Sequence, residues 1–196
     1  MPATFTELAL PGVFEIVPEQ YPDDRGFFSE TFNKAGFISR DLPTDWVQDN
    51  YSYSRDKGVL RGLHYQRAPF AQDKLVRVCK GAVLDIAIDI RHGSPHYGKW
   101  ISVVLSAEKW NQLLIPIGFA HGFITLEPDT EVAYKVTAPY SKEHDAGIRY
   151  NDPAIGVDWQ FRGVEPLLSS KDANAPLLAD QDPGFVFAAV KQEPAT

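Results

Sequence analysis

Leu84-Asp85-Ile86-Ala87-Ile88-Asp89-Ile90 decides the fold class of this 196-residue chain. Leu84, Ile86, Ile88 and Ile90 fall on one face, and Asp85, Ala87 and Asp89 on the other. A strict period of two is the pattern of a half-buried strand, whereas a helix needs apolar residues three and four apart. Working outward, Trp100 to Leu105, Leu113 to Ile115, Phe123 to Leu126 and Glu131 to Val136 read as further strands. Gly81, Pro95-His96-Tyr97-Gly98, Pro116-Ile117-Gly118 and Pro128-Asp129 supply turns between them. The 14 glycines and 15 prolines are spread along the chain rather than pooled in a linker, so they punctuate many short strands. Helical pattern is confined to Lys34 to Asp41 and a turn or two near the C-terminus. Strand after strand with little helix predicts a sandwich or jelly roll rather than a parallel α/β sheet.

The length fits one domain, residues 1–196, with a barrel core expected over about 45–160. Hydrophobic residues at 44% and charged residues at 23% are ordinary globular usage. A net charge of −7 with no Lys/Arg run argues against a nucleic-acid binder or a partner of anionic membranes, both of which need a basic face. One cysteine, Cys79, leaves no internal disulfide and suits a reducing cytoplasm. The opening MPATFTELALPGVFEI has neither the basic nor the long apolar region of a signal peptide, and no apolar run reaches the length of a membrane span. The tail after about Asp180 is expected to pack loosely or to serve as an arm.

Four clusters could carry chemistry, and each also has an ordinary structural reading. Asp24-Arg25-Gly26-Phe27-Phe28-Ser29-Glu30 is a solvated hairpin, or an arginine fork for phosphate beside an aromatic for a base to stack on. Gly58 to Gln66 places Arg61 and His64 in an apolar stretch, with Lys74 downstream. A lone histidine there is usually core, but two nearby cations suggest a cationic pocket around a titratable base. Pro116-Ile117-Gly118-Phe119-Ala120-His121 has the P-x-G-x-x-H spacing, which resembles the second histidine motif of cupin barrels. The first cupin motif would need a second histidine where the chain reads His64-Tyr65-Gln66, so no metal set of three or four ligands is expected. Lastly, Tyr134 sits on the strand Glu131 to Val136, and Asp172 closes Ser169-Ser170-Lys171-Asp172.

Taken together, these residues resemble the dTDP-4-dehydrorhamnose 3,5-epimerase family. The matching segments are DDRGFFSETF, VQDNYSYS, GVLRGLHYQ, KLVRVCKGAVLDIAIDIRHGSPHYGKW, LSAEKWNQLLIPIGFAHGF, EVAYKVT, IRYNDPAIGVDW and LLSSKD, in order from about residue 10 to residue 172. The resemblance implies an all-β, cupin-type jelly-roll barrel with a few short helices. It further implies no cofactor, no metal, and a homodimer that exchanges an N-terminal strand. The implied substrate is the nucleotide sugar dTDP-4-dehydro-6-deoxy-D-glucose, inverted at C3 and C5. By the same resemblance His64 is the general base, Asp172 the carboxylate that holds and polarises it, and Tyr134 the general acid on the other face of the sugar. Arg25, Glu30, Gln48, Asp49, Asn50, Arg61, Lys74, His121 and Lys171 fall on positions that contact nucleotide, diphosphate or sugar. Arg25, Phe28 and Glu30 would reach into the neighbour's pocket, and Tyr140 would stack on the thymine. The chain departs from the family at Lys109, often asparagine, and at Asp145, usually a glutamate that contacts substrate.

The chemistry agrees with these residue types. A ketone at C4 acidifies C3–H and C5–H, so inversion needs a base, an acid across the ring and a cation for the enolate. Histidine is suited to the first role, and an Asp partner fixes its tautomer. Lys74 or Arg61 near the C4 oxygen would stabilise the oxyanion, worth roughly 3–4 kcal/mol per donor in comparable sites. Arg25, Arg61, Lys74 and Lys171 supply local positive charge for a diphosphate. No Gly-rich dinucleotide fingerprint follows a strand, which disfavours a dehydrogenase. The alternatives are an epimerase that inverts only C3 or only C5, and a non-catalytic sugar-binding cupin. Retention of His64, Tyr134 and Asp172 together argues against the latter.

Overall fold

The structure is a computed structural model that describes residues 3–161 and 163–187. Of the tail expected as an arm, the part beyond Phe187 lies outside the described residues, as do the first two residues of the opening stretch. The chain begins with β1 (Ala3–Glu7), β2 (Phe14–Pro18), β3 (Gln20–Asp23) and β4 (Gly26–Ser29), followed by a short helix α1 (Lys34–Ile38). β5 (Gln48–Ser54), β6 (Leu60–Gln66), β7 (Lys74–Lys80) and β8 (Ala82–Asp89) come next. β9 (Trp100–Ser106), β10 (Gln112–Ile115), β11 (Phe119–Thr125), β12 (Thr130–Val136) and β13 (Asp145–Gly147) complete the strands, and α2 (Ser170–Ala173) lies near the end.

The strands pair antiparallel into a six-stranded sheet, β1-β2-β10-β7-β12-β5, and a five-stranded sheet, β13-β6-β11-β8-β9. β3 and β4 stand apart as a hairpin. This is the all-β arrangement that the alternating pattern predicts, and the cupin-type jelly-roll barrel with short helices that the resemblance implies. Val76, Val78, Val83, Ala87, Phe119, Phe123 and Val132 meet between the sheets and fill the apolar part of the interior. Among the described residues no helix is long and apolar enough to cross a membrane.

β8 corrects one expectation, because it is buried on both faces rather than one. Leu84, Ile86, Ile88 and Ile90 pack beneath Ile148, Ile155, Trp159 and Leu178 from the segment after β13. Each such side chain contributes roughly 1.5–3 kcal/mol on burial, and a domain stable by about 5–15 kcal/mol is poorly served by leaving four exposed. The opposite face looks into the barrel, where Asp85 and Asp89 are both 0% exposed. Asp89 is matched by Arg91, whose Nε and Nη2 donate at 2.9 and 2.6 Å, and by the Ser94 hydroxyl at 2.7 Å.

β6 carries a slip that positions the site. Leu60, Leu63 and Tyr65 all pack in the outer cluster, so the alternation changes phase between the first and second of them. The pairing with β11 shows the same shift: His121 opposes His64, but Phe123 opposes Arg61. Arg61 and His64, three residues apart, therefore both face inward. Gly62 makes the slip possible. Its φ is +125°, and a Cβ there would lie 2.5 Å from the Gly122 Cα and 2.8 Å from the His121 carbonyl oxygen.

Candidate active site

The slip brings His64 to the wall of a cavity of about 420 Å³. Gln48 and Asn50 come from β5, Lys74 from β7 and Tyr134 from β12, while Tyr140, Asp145 and Lys171 line the side nearest β13 and α2. His64 and Tyr134 thus enter from opposite sheets.

The His64 Nε2 lies 2.5 Å from Oδ1 of Asp172. Asp172 reaches it from α2, whose N-cap is Ser169. The Ser169 hydroxyl accepts from the Asp172 amide at 3.1 Å and lies 2.9 Å from the other carboxylate oxygen, Oδ2. Burial pushes the Asp172 carboxyl up, but the hydrogen bond and charge of His64, the Ser169 hydroxyl and the Lys171 charge together hold it below the usual range. An ionised Asp172 can only accept, so Nε2 carries a hydrogen and Nδ1 is left as the basic nitrogen.

Lys74 is buried and donates to the His64 carbonyl oxygen at 3.3 Å. Burial lowers its pKa from 10.5 to about 8; Asp85 and Asp145 act against the fall, and Lys171 adds to it. His121 lies across from His64 in the next strand, and its Nε2 is 2.9 and 3.0 Å from the two oxygens of Asp85. Burial lowers the His121 pKa despite the Asp85 carboxylate, which favours the neutral ring. Burial raises the Tyr134 phenol, as does Asp145, while the Arg61 charge pulls the other way. Arg61 is fixed by its Nε to the Ser54 hydroxyl (3.3 Å) and its Nη2 to the Tyr53 carbonyl oxygen (3.1 Å). At the mouth, one oxygen of Asp145 meets both the Tyr140 hydroxyl (3.1 Å) and the Lys171 ammonium (2.5 Å).

Three of the singled-out residues, Asp172, His121 and Arg61, stand beside this cavity without lining it, and within one chain four others stand away from it. Arg25 is paired with its neighbour Asp23 at 2.6 Å on the hairpin, and Phe28 is 70% exposed there. Glu30, just past β4, borders a separate small hollow with Phe32 and Arg40. Asp49 alternates away from Gln48 and Asn50 and pairs with Lys135 at 2.8 Å beside another hollow of about 290 Å³. Conversely, Gln66, Gln72 and Tyr65 line the cavity and Ser169 braces Asp172, none of them singled out beforehand. Ser169 was findable, since Ser169-Ser170-Lys171-Asp172 has the spacing of a capping box. Among the described residues no three His, Cys, Asp or Glu side chains gather as metal ligands.

Comparison with known proteins adds an independent line. The sequence profile of a family described as dTDP-4-dehydrorhamnose 3,5-epimerase matches residues 7–180. The chain is 48% identical over 186 residues to the dTDP-4-dehydrorhamnose 3,5-epimerase of Sinorhizobium fredii, covering 95% of each. It is 50% identical over 173 residues to that of Salmonella typhimurium, covering 87% of this chain and 92% of the relative. Its fold superimposes with a TM-score of 0.91, at 42% identity, on the dTDP-6-deoxy-D-glucose-3,5-epimerase of Legionella pneumophila in complex with dTDP-4-keto-L-rhamnose. That match covers 95% of this chain and 100% of the other.

Proposed function

The chain belongs to the dTDP-4-dehydrorhamnose 3,5-epimerase family, and we propose that the cavity beside His64 is where it inverts C3 and C5 of dTDP-4-dehydro-6-deoxy-D-glucose. The enzyme is an isomerase, and its product is dTDP-4-dehydro-L-rhamnose. The observation that carries the residue assignment is the entry of a carboxylate-bound imidazole and a buried phenol from opposite sheets into one cavity.

His64 Nδ1 takes the proton from the carbon next to the ketone, and the electron pair moves onto the C4 oxygen. Lys74 stands for the cation that meets this enolate oxygen. Asp172 stabilises the imidazolium through Nε2–H. The Tyr134 hydroxyl then delivers a proton to the same carbon from the opposite face, and the Arg61 charge eases formation of the phenolate. Solvent afterwards removes the proton from His64 and returns one to Tyr134, so the cycle closes with no net change in protons. The same groups act again at the second carbon. Gln48, Asn50, His121, Tyr140, Asp145 and Lys171 are assigned to substrate contacts, with Lys171 and Arg61 supplying charge for the diphosphate.

Tyr134→Phe tests the acid separately from the base. In deuterated buffer, proton NMR should still show exchange at C3 and C5, but inversion should fall by about 10²–10⁴-fold, the usual range for a positioned acid. Equal loss of exchange and inversion would remove Tyr134 from this role.

A homodimer with an exchanged N-terminal strand accounts for the four residues that stand away from the cavity. β1 is one edge strand of the six-stranded sheet, the other edge strand, β5, exposes Tyr51 (61%) and Tyr53 (49%), and the separate hairpin exposes Phe27 (48%) and Phe28. An exposed set of this kind rimmed by charge fits a partner surface. A second copy would bring Arg25, Phe28 and Glu30 to the neighbour's diphosphate and base, with Asp49 near the seam. Light scattering at micromolar concentration should give twice the 21.9 kDa chain mass; a monomer would discard this arrangement. Residues 1–196 are assigned to one domain. A cytoplasmic location is supported by the single Cys79.

A further inference from the structure

Asp85 is a buried carboxylate that the mechanism above leaves without a role. It lies on the inner face of β8, 0% exposed, one step diagonal from His121 on β11. Both of its oxygens approach the same nitrogen of that ring, at 2.9 and 3.0 Å. A carboxylate removed from water is strongly unfavourable unless a positive charge or a full set of donors answers it. His121 supplies a single N–H and, being buried, leans towards its neutral form. Lys74 enters the same interior from the other sheet, is itself only 8% exposed, and feels the Asp85 charge. Lys74 in turn makes its one hydrogen bond among the described residues to a carbonyl oxygen, that of His64, and so lacks a bonded counter-ion.

We propose that Asp85 is a positioning residue for the epimerisation, the buried counter-charge that keeps Lys74 an ammonium ion beside the reacting ketone, with His121 as the donor that locks the carboxylate in place. The proposal rests on the assignment of Lys74 to the enolate oxygen. The groups around Lys74 come from six other elements: Asp85 on β8, Asp145 on β13, Lys171 on α2, His64 on β6, Tyr134 on β12 and His121 on β11. Of these, Asp85 is the foremost influence opposing the effect of burial on the amine, Asp145 is the second, and Lys171 acts with burial.

The consequence is a pH dependence with a defined direction. A solvated lysine stays charged to about pH 10, but Lys74 loses its proton near 8, so turnover falls as pH rises through that value. Removing the Asp85 charge makes the ammonium harder to keep, and the fall moves to lower pH by about one unit or more. For one unit, turnover would be about fivefold below the parent at pH 8 and close to it at pH 6.

The experiment compares kcat against pH for the parent, Asp85→Asn, Lys74→Met and the double variant, following inversion by NMR. The proposal expects the alkaline limb of Asp85→Asn to move to lower pH, with KM little changed. It also expects Asp85→Asn to add less than about threefold in the Lys74→Met background, where the coupled partner is gone. A uniform loss at every pH with an unmoved limb would overturn it, since that is what a purely structural carboxylate would give. Parental turnover in Lys74→Met would instead overturn the enolate assignment, whatever Asp85 does. If Asp85→Asn fails to fold by circular dichroism, Asp85→Glu, which keeps the charge, is expected to keep the parental limb. A limb shifted to lower pH in Asp85→Glu would overturn the proposal too.

Discussion

His64→Ala is expected to lower turnover by about 10²–10⁴-fold while leaving thermal unfolding close to the parent. The ring is half-buried at the cavity wall, with 32% of its side chain exposed, so alanine leaves a space that water can occupy rather than an empty hole in the core. The change removes the imidazole assigned to take the sugar-ring proton, with the Asp172 carboxylate behind it. Asp172 would be left without its imidazole partner but would keep the Ser169 hydroxyl and amide contacts that hold it at the start of α2. Unlike Tyr134→Phe, this variant should lose deuterium exchange and inversion together at both carbons. The check is an NMR time course in deuterated buffer beside a melting curve; retained exchange would transfer the base to another residue.

Gly62→Ala is expected to destabilise the fold by about 3–5 kcal/mol, combining backbone strain at positive φ with forced overpacking. The added methyl would collide with the backbone of β11, at the Gly122 Cα and the His121 carbonyl, rather than with a side chain that could turn aside. Relief requires β6 and β11 to separate where Arg61, His64 and His121 are placed, so activity should fall with stability. Urea denaturation with an unchanged m-value would measure the loss. A variant within about 1 kcal/mol of the parent would mean that the two strands can part without penalty.

The fold was legible because alternation is a backbone property: wherever Leu84 to Ile90 pairs, even and odd residues face opposite ways. What covers each face is a tertiary matter, and that is where the reading of β8 fell short. The four aliphatic residues were visible, but the segment carrying Ile148, Ile155 and Trp159 is irregular and gives no periodic signal of where it packs. A half-buried strand would turn its Asp85 face to water, but that face lines the barrel interior. Arg61 and His64 were paired in the sequence by proximity alone; a strict period of two would have set them on opposite faces. Only the slip at Gly62, which needs the partner strand to define it, puts both inside. His64 and Asp172 are 108 residues apart in the chain, and no local pattern links them, so their pairing came from family resemblance and their contact from the structure.

The irregular segment that covers β8 also carries α2, and with it the carboxylate that orients His64. It is tied down at scattered points: Leu167 exchanges backbone hydrogen bonds with Leu60 and Gly58, and Ile148 with Leu63. The segment is therefore held to β8 by side-chain burial more than by a backbone ladder. One packing contact serves two ends: the cover that completes the hydrophobic core is also the mount that sets the carboxylate behind the base, so aliphatic residues far from the cavity bear on the chemistry through where they seat α2.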